Sequence, residues 1–457
     1  MNNRLQEIQH IFRAYDIRGI FNKDLDTTIM NLIGRAYGTL IKKKGHDRIT
    51  VGGDIRASTP VLIESFIAGV ASTGVHVEYV LPSPLGVTLF HAWQQDHVAS
   101  AFITASHLPP EWNGVKFYHG KGMGFSPDEN KQVQNIFNNF KFETPDAFNI
   151  GNFVKVYPFD EYVDYLKKKF VFKKSHKIVV DCGNGAMSLV APRVFKELGF
   201  DVVEVFCSPD PRFPNRPSEP EPKVLTELSK KVRESEAIMG VAFDGDGDRA
   251  VIVDEEGHVL TGDETGVIIS KYLLEKEPGS SIVINVECSL VVEQELKKAG
   301  AKVKWIPVGH SYLSFEAEKE NAIFGIEASG HMIAPKVFLF DDAIVIPLLM
   351  LQALDHFNEP LSKLRKQVPK IHKKRFDLEA SDKTKFEVVK KISDYLEKEF
   401  GNVVTLDGAM VSTDDLRLLV RASNTSPLVR VTIETSSEEK FEEAMNKYLP
   451  KIKEFIK

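Results

Sequence analysis

Hydrophobic and polar positions follow one arrangement three times along the chain. An apolar, β-branched run of strand length leads into a turn rich in Gly, Asp and Ser. An amphipathic helical stretch closed by glycine follows, and then a second Val-rich run. The first copy begins at Arg48 (ITVGGDIRASTP) and passes through a helix ending near Gly74 into residues 75–80. The second begins at Lys177 (IVVDCGNGAMS) and runs through a helix ending near Gly199 into residues 201–206; the third begins at Ser281 (IVINVECSLVV) and runs past Gly300 into residues 302–306. Glycine after each helix supplies a left-handed terminator, and each strand–helix–strand unit implies a parallel pair with a right-handed crossover. Three α/β domains in series are predicted. After Val368 the pattern changes to a strand from Lys373, a helix near 383–400, strands around 402–412, 416–421 and 428–435, and a Lys/Glu-rich terminal helix, which reads as a smaller α+β domain. Boundaries near Val154, Asp254 and Val368 divide the chain into 1–153, 154–254, 255–367 and 368–457.

Composition narrows the class of function. The 457 residues carry 58 Lys+Arg against 64 Asp+Glu, a formal charge of −6, and 43% are hydrophobic, enough for several packed cores. A mildly acidic chain without a long basic block argues against nucleic acid or an anionic membrane as partner. The longest apolar stretch, Ala343 to Leu354, is too short to span a bilayer, and the polar start lacks the apolar core of a secretory signal. Cys182, Cys207 and Cys288 lack metal-ligand spacing, and their odd number cannot form a complete disulfide framework. A reducing, cytoplasmic setting is the simplest expectation.

Four segments carry chemistry. In Asp244-Gly-Asp-Gly-Asp-Arg249, between two apolar runs, glycines let the backbone fold three hard carboxylates around one small cation, as suits Mg²⁺. An EF-hand fits less well, because its sixth position is Arg249 where glycine is needed; an acidic turn and a hydrolase with an aspartyl nucleophile are the other readings. In TASHLPPEWNGVKFY (104–118), Ser106 lies in a stiff loop after an apolar strand, placed as a phosphoacceptor or as a simple turn serine. Arg421-Ala-Ser-Asn-Thr-Ser-Pro427 offers a guanidinium fork, hydroxyls and an amide, either a phosphate cradle or an ordinary polar turn. Gly325-Ile-Glu-Ala-Ser-Gly-His331 presents a carboxylate, a hydroxyl and an imidazole, fit for a polyol or simply a glycine-bounded turn.

Taken in order with FRAYDIRG (12–19), these segments resemble the α-D-phosphohexomutases, and within them phosphomannomutase/phosphoglucomutase, over essentially the whole chain. The resemblance implies three topologically similar α/β domains and a TATA-box-binding-protein-like fourth domain around a central cleft. It implies an isomerase that interconverts hexose 1- and 6-phosphates, of mannose and/or glucose, through a phosphoserine and a hexose 1,6-bisphosphate. Ser106 would carry the phosphate, and Asp244, Asp246 and Asp248 with a phosphate oxygen on Ser106 would hold Mg²⁺. Arg249 would stabilise the transferring group. Arg421, Ser423, Asn424 and Thr425 would hold the phosphate that is not transferred, and Glu327 with Ser329 the sugar hydroxyls. Tyr15, Arg18, His107, Lys116, His310 and His331 match further active-site positions, with His310 and Lys116 as candidate general bases. The sequence departs from the family at Leu108 (commonly Asn), Ile326 (commonly Gly) and Glu287 (Lys in many bacterial relatives). Asp54 and Arg56 match too and read as an ion pair bracing the first helix. Phosphoglucosamine mutase is the nearest rival, but its phosphate loop usually reads Gly-Thr-Glu-Pro, whereas Asn424-Thr-Ser-Pro427 favours neutral hexoses. A sugar-phosphate phosphatase and a non-catalytic phosphosugar-binding protein are more distant readings.

Overall fold

The computed structural model describes residues 6–381, 383–423 and 427–456, the side chain of His310 excepted. Two compact units emerge, Met1–Thr261 with Gly330–Leu364, and Gly262–Ser329 with Arg365–Lys457. The predicted third segment is thus shared between them.

In the first unit, strand Arg48–Gly53 leads through helix Thr59–Ala71 to strand His76–Val80, and strand Lys177–Asp181 leads through helix Ala191–Glu197 to strand Asp201–Val205. Both strand pairs are parallel, as the apolar runs predicted. Each pair gains a third parallel strand beside its first member, Ala99–Ile103 in one sheet and Met239–Phe243 in the other. Each third strand then turns back into an antiparallel neighbour, Trp112–His119 and Ala250–Asp254 respectively. The second unit repeats the parallel core, with Ser281–Asn285 flanked by Lys302–Ile306 and Phe324–Ile326. Ser106, the aspartate loop and Glu327 therefore occupy one topological position, just beyond the carboxyl end of the third parallel strand, where open α/β sheets present their ligand loops.

The strands that form these sheet centres read as continuous apolar runs because both faces are covered: Ala99–Ile103 and Met239–Phe243 are buried at every position. Around the first sheet, Tyr37 of helix Thr27–Lys43 stacks on Phe117 with ring centroids 4.4 Å apart and donates its hydroxyl to the Ser100 carbonyl. This fixes the helix over the strand that delivers Ser106. The C-terminal part of the second unit is an antiparallel sheet in the order His372–Glu379, Leu428–Thr435, Leu416–Ala422, Ala409–Ser412, with helices Lys385–Phe400 and Glu438–Ile456 sharing its apolar core. The strand expected over 402–412 is confined to Ala409–Ser412, because Gly408 (φ 94°) turns the chain immediately before it. None of the helices among the described residues is long and apolar enough to cross a membrane.

The cysteine reading needs correction. Cys182 and Cys207 are joined, with S–S 2.01 Å and Cα atoms 4.8 Å apart. They follow the neighbouring parallel strands Lys177–Asp181 and Asp201–Val205, so the fold brings together residues that the sequence separates by 25 positions. Cys288 is free and buried. The cysteine count therefore loses its force as an argument for a reducing compartment.

Candidate active site

The serine loop is held from beneath by a buried cation. Arg56, fully buried, pairs with Asp54 at 3.1 Å and donates to the main-chain carbonyls of Pro109 (2.6 Å), Trp112 (3.1 Å), Ser106 (2.7 Å) and Leu108 (2.6 Å). Asp54 in turn accepts from the hydroxyls of Thr59 and Thr104, and Thr104 accepts the N–H of Ser106 at 2.8 Å. The Asp54–Arg56 pair thus braces the Ser106 loop, a role that its expected place beside the first helix does not reveal. With these bonds Ser106 adopts φ 51°, a left-handed conformation that costs a non-glycine residue on the order of 1 kcal/mol or more and persists only where its surroundings enforce it. Leu108 contributes through its carbonyl, which Arg56 and Ser218 both reach, so its side chain is not needed for loop support.

The aspartate loop packs directly on this serine. A Cβ on Gly245 would lie 2.5 Å from the Ser106 carbonyl, and Gly247 has φ 78°, so both glycines of the motif are sterically required. Asp244 folds the loop by accepting the N–H groups of Gly247, Asp248 and Arg249 on one oxygen, while its other oxygen lies 3.3 Å from Ser106 Oγ. Carboxylate oxygens of Asp244, Asp246 and Asp248 lie within 4.8 Å of one another. Oδ1 of Asp246 and Oδ1 of Asp248 are buried without a hydrogen-bond partner. Buried anionic oxygens lacking donors fit a hard divalent cation. Burial and the neighbouring carboxylates push the Asp244 pKa well up; burial opposes ionisation of Asp248 too, yet Lys116, His331 and Arg249 hold its pKa well below the usual range.

Lys116 donates to Asp246 at 3.0 Å and to Asp248 at 2.6 Å. Burial pulls its pKa down, but the carboxylates of Asp246 and Asp248 outweigh this and raise it well above the usual ammonium value. Arg249 reaches Asp244 (3.3 Å) and Glu219 (3.1 Å). His107 Nδ1 lies 3.4 Å from Ser106 Oγ. Burial, with Arg249 and Arg18 nearby, depresses the His107 pKa to about 2, so the imidazole is neutral. Arg18, on the strand Ile17–Ile20, pairs with Asp16 at 2.6 Å and points Nη1 at the Ala105 carbonyl (3.5 Å), beside the serine; Tyr15 is half-buried just before that strand. His331 pairs with Asp341 at 3.2 Å; despite burial, which lowers it, Asp248 and Asp341 raise its pKa to about 9.

In the second unit, the buried Glu327 accepts the Gly309 N–H at 3.0 Å and the Ser329 hydroxyl at 3.2 Å. Ile326 ends the strand before it and fills the space over Gly266, where a Cβ would lie 2.8 Å from the isoleucine side chain. Arg421 lies between Glu287 (2.7 Å) and Asp407 (2.8 Å). The Ser423 carbonyl accepts from the buried Lys385 ammonium at 2.5 Å. Asn424, Thr425 and the His310 side chain lie outside the described residues. Sequence reasoning missed Glu219, Asp341, Lys385 and Asp407. Each acts by pairing with a residue far along the chain or in a different loop, and nothing in its own neighbourhood marks it.

Matches to family models cover nearly all of this architecture. Phosphoglucomutase/phosphomannomutase alpha/beta/alpha domains I, II and III match residues 9–144, 160–257 and 261–371, and the C-terminal domain of the same family matches 368–448. The chain belongs to the α-D-phosphohexomutase family, and it is built of three α/β domains and a C-terminal domain. It is 32% identical over 448 residues to a probable phosphoglucosamine mutase of Pyrococcus horikoshii, covering 98% of each chain. It is also 32% identical over 458 residues to a phosphoglucomutase/phosphomannomutase of Thermococcus kodakarensis, covering 98% of this chain and 99% of that one. Among solved structures, a phosphoglucomutase/phosphomannomutase family protein of Burkholderia thailandensis superposes with a TM-score of 0.90 at 28% identity, over 98% of both chains.

Proposed function

We propose that Ser106 carries the phosphoryl group of a hexose-phosphate mutase. As a family member, the chain is an enzyme of the isomerase class that interconverts hexose 1- and 6-phosphates. In the proposed cycle, phosphorylated Ser106 transfers its phosphoryl group to the free hydroxyl of the sugar phosphate. The hydroxyl proton leaves to a base, the serine Oγ–P bond breaks and a hexose 1,6-bisphosphate forms. The bisphosphate turns over, and its other phosphate returns to Ser106. Asp244, Asp246 and Asp248 would hold Mg²⁺, which when bound supplies positive charge where the phosphoryl oxygens gather it. Arg249 and Lys116 add fixed positive charge at the same loop, Arg421 with Ser423, Asn424 and Thr425 grips the phosphate that stays, and Glu327 with Ser329 takes sugar hydroxyls. Tyr15, Arg18 and His331 border the substrate in this scheme. Segments 1–153, 154–254, 255–367 and 368–457 would then supply the serine, metal, sugar and phosphate loops in turn.

The observation that carries this reading is the left-handed Ser106, its hydroxyl 3.3 Å from Asp244 in a loop packed on the aspartate motif. A phosphatase needs no such serine. Intact-mass and tandem mass spectrometry are expected to find phosphate on Ser106 in part of the isolated protein. Phosphate solely on another residue, or undiminished mutase activity in Ser106→Ala, would reject the assignment. Because mannose and glucose 1-phosphates differ only at C2, and the sugar must bind in two flipped orientations, we expect less than about hundred-fold discrimination between them. A larger ratio would require a contact to the 2-hydroxyl worth roughly 3 kcal/mol. The relatives named probable phosphoglucosamine mutase supply a second reading, and glucosamine 1-phosphate as third competitor in the same assay tests it.

A further inference from the structure

The guanidinium of Arg421 has its anion partners already. Nη1 donates to Glu287 at 2.7 Å and Nη2 to Asp407 at 2.8 Å, while Nε is buried without a hydrogen-bond partner. Arg421 is itself 3% exposed and fixed from behind, since a Cβ on Gly408 would lie 2.8 Å from its own Cβ. The two carboxylates are held differently. Asp407 also accepts the Val308 N–H at 3.1 Å through the same oxygen that meets Arg421. The Glu287 carboxylate has no second hydrogen-bond partner among the described residues, and its position is secured only through the backbone, by Asn285 and by Lys373. Both side chains are about one fifth exposed, and Glu287 is the longer and the less tethered of the two.

We propose that Glu287 is an internal competitor for Arg421, which occupies the arginine in the resting chain, gives it up to the substrate phosphate and takes it back when that phosphate leaves. This rests on the reading of the Arg421 loop as the site of the phosphate that is not transferred. A dianion arriving beside Arg421 meets the Glu287 carboxylate, and like charges at this range repel in a half-buried site. Exchange removes the repulsion by trading one N–H···O contact for another. A bisphosphate that must let go, turn around and rebind gains from a carboxylate that shortens the stay of its anchored phosphate. Arg430 stands opposite Arg421 in the antiparallel pair, its Nε buried without a hydrogen-bond partner and 3.9 Å from Asp377, so a second guanidinium remains beside Arg421 when Glu287 departs.

The test is calorimetric titration of the full chain with glucose 6-phosphate in a Ser106→Ala background, so that binding is read without turnover. Glu287→Gln retains a hydrogen-bond acceptor for Arg421 and removes the charge; it is expected to tighten binding roughly three- to thirty-fold, and Glu287→Ser to act in the same direction. Asp407→Asn is expected to tighten it less. With Ser106 intact, Glu287→Gln should lower KM without raising kcat, a split that a structural defect does not produce. Unchanged or weaker binding in both Glu287 variants, with Arg421→Ala at least ten-fold weaker than its parent, overturns the role of Glu287 and leaves the phosphate site standing. If Arg421→Ala binds as tightly as its parent, the phosphate-site reading fails and the proposal with it.

Discussion

Replacing Arg56 by methionine tests whether one buried guanidinium creates the reactive conformation of Ser106. The perturbation removes an ion pair to Asp54 and donors to four carbonyls of the 106–112 loop. Breaking a fully buried pair by deleting one partner costs about 3–5 kcal/mol, and each abandoned carbonyl adds on the order of 1 kcal/mol. Leu108 retains Ser218 and Pro109 retains the Trp112 N–H as donors, so two carbonyls count in full and the expected loss is about 5–7 kcal/mol, a large share of the roughly 5–15 kcal/mol typical of a domain. Burial already raises the Asp54 pKa against the pull of Arg56. Without Arg56 it rises further. A carboxyl whose folded pKa is raised contributes stability at low pH that is lost as pH climbs through that folded value, so the deficit should be smaller at pH 5 than at pH 8. Asp54→Asn combined with Arg56→Met removes the stranded charge and should recover about 2–3 kcal/mol and flatten the pH dependence, yet remain inactive because Ser106 is still unbraced. Urea unfolding at the two pH values, with mutase turnover, reads all three effects. Arg56→Met within about 1 kcal/mol of wild type, or a double variant with full turnover, would refute the reasoning.

Asp246→Asn should abolish turnover without lowering the melting temperature, since it removes one of three crowded buried carboxylates; exhaustive chelation should have the same catalytic effect, restored by Mg²⁺. An undiminished rate after chelation would exclude the cation. Asp342, buried against Gly86 and bonded to Tyr162 at 2.7 Å, has its pKa raised by burial to about 7. Its contribution is complete below about pH 4 and lost as pH rises to about 7, on the order of 4 kcal/mol at most. Asp342→Asn should therefore flatten the dependence of melting temperature on pH between 5 and 8, and an unchanged slope would show that Asp342 is not the titrating group.

Much of this protein was legible in its sequence because the relevant physics is local. The strand runs at Arg48, Lys177 and Ser281 declared themselves by continuous apolar character, and the turns after the helices by glycine. The glycines of Asp244–Arg249 announced a tight carboxylate loop because only glycine tolerates φ 78° and the close approach to Ser106. What tertiary structure alone decided are pairings between distant residues. Arg56 and the carbonyls of 106–112 are some fifty positions apart, Lys116 and the aspartates about 130, and Glu287 and Arg421 134. No periodicity or spacing records such pairs. The Cys182–Cys207 bond belongs with them, since it exists only because two parallel strands end side by side. Local sequence sets backbone preference and pattern through short-range sterics and burial. The protonation of Lys116, the bracing of Ser106 and the occupancy of Arg421 depend instead on electrostatics between groups that become neighbours only after the chain has packed.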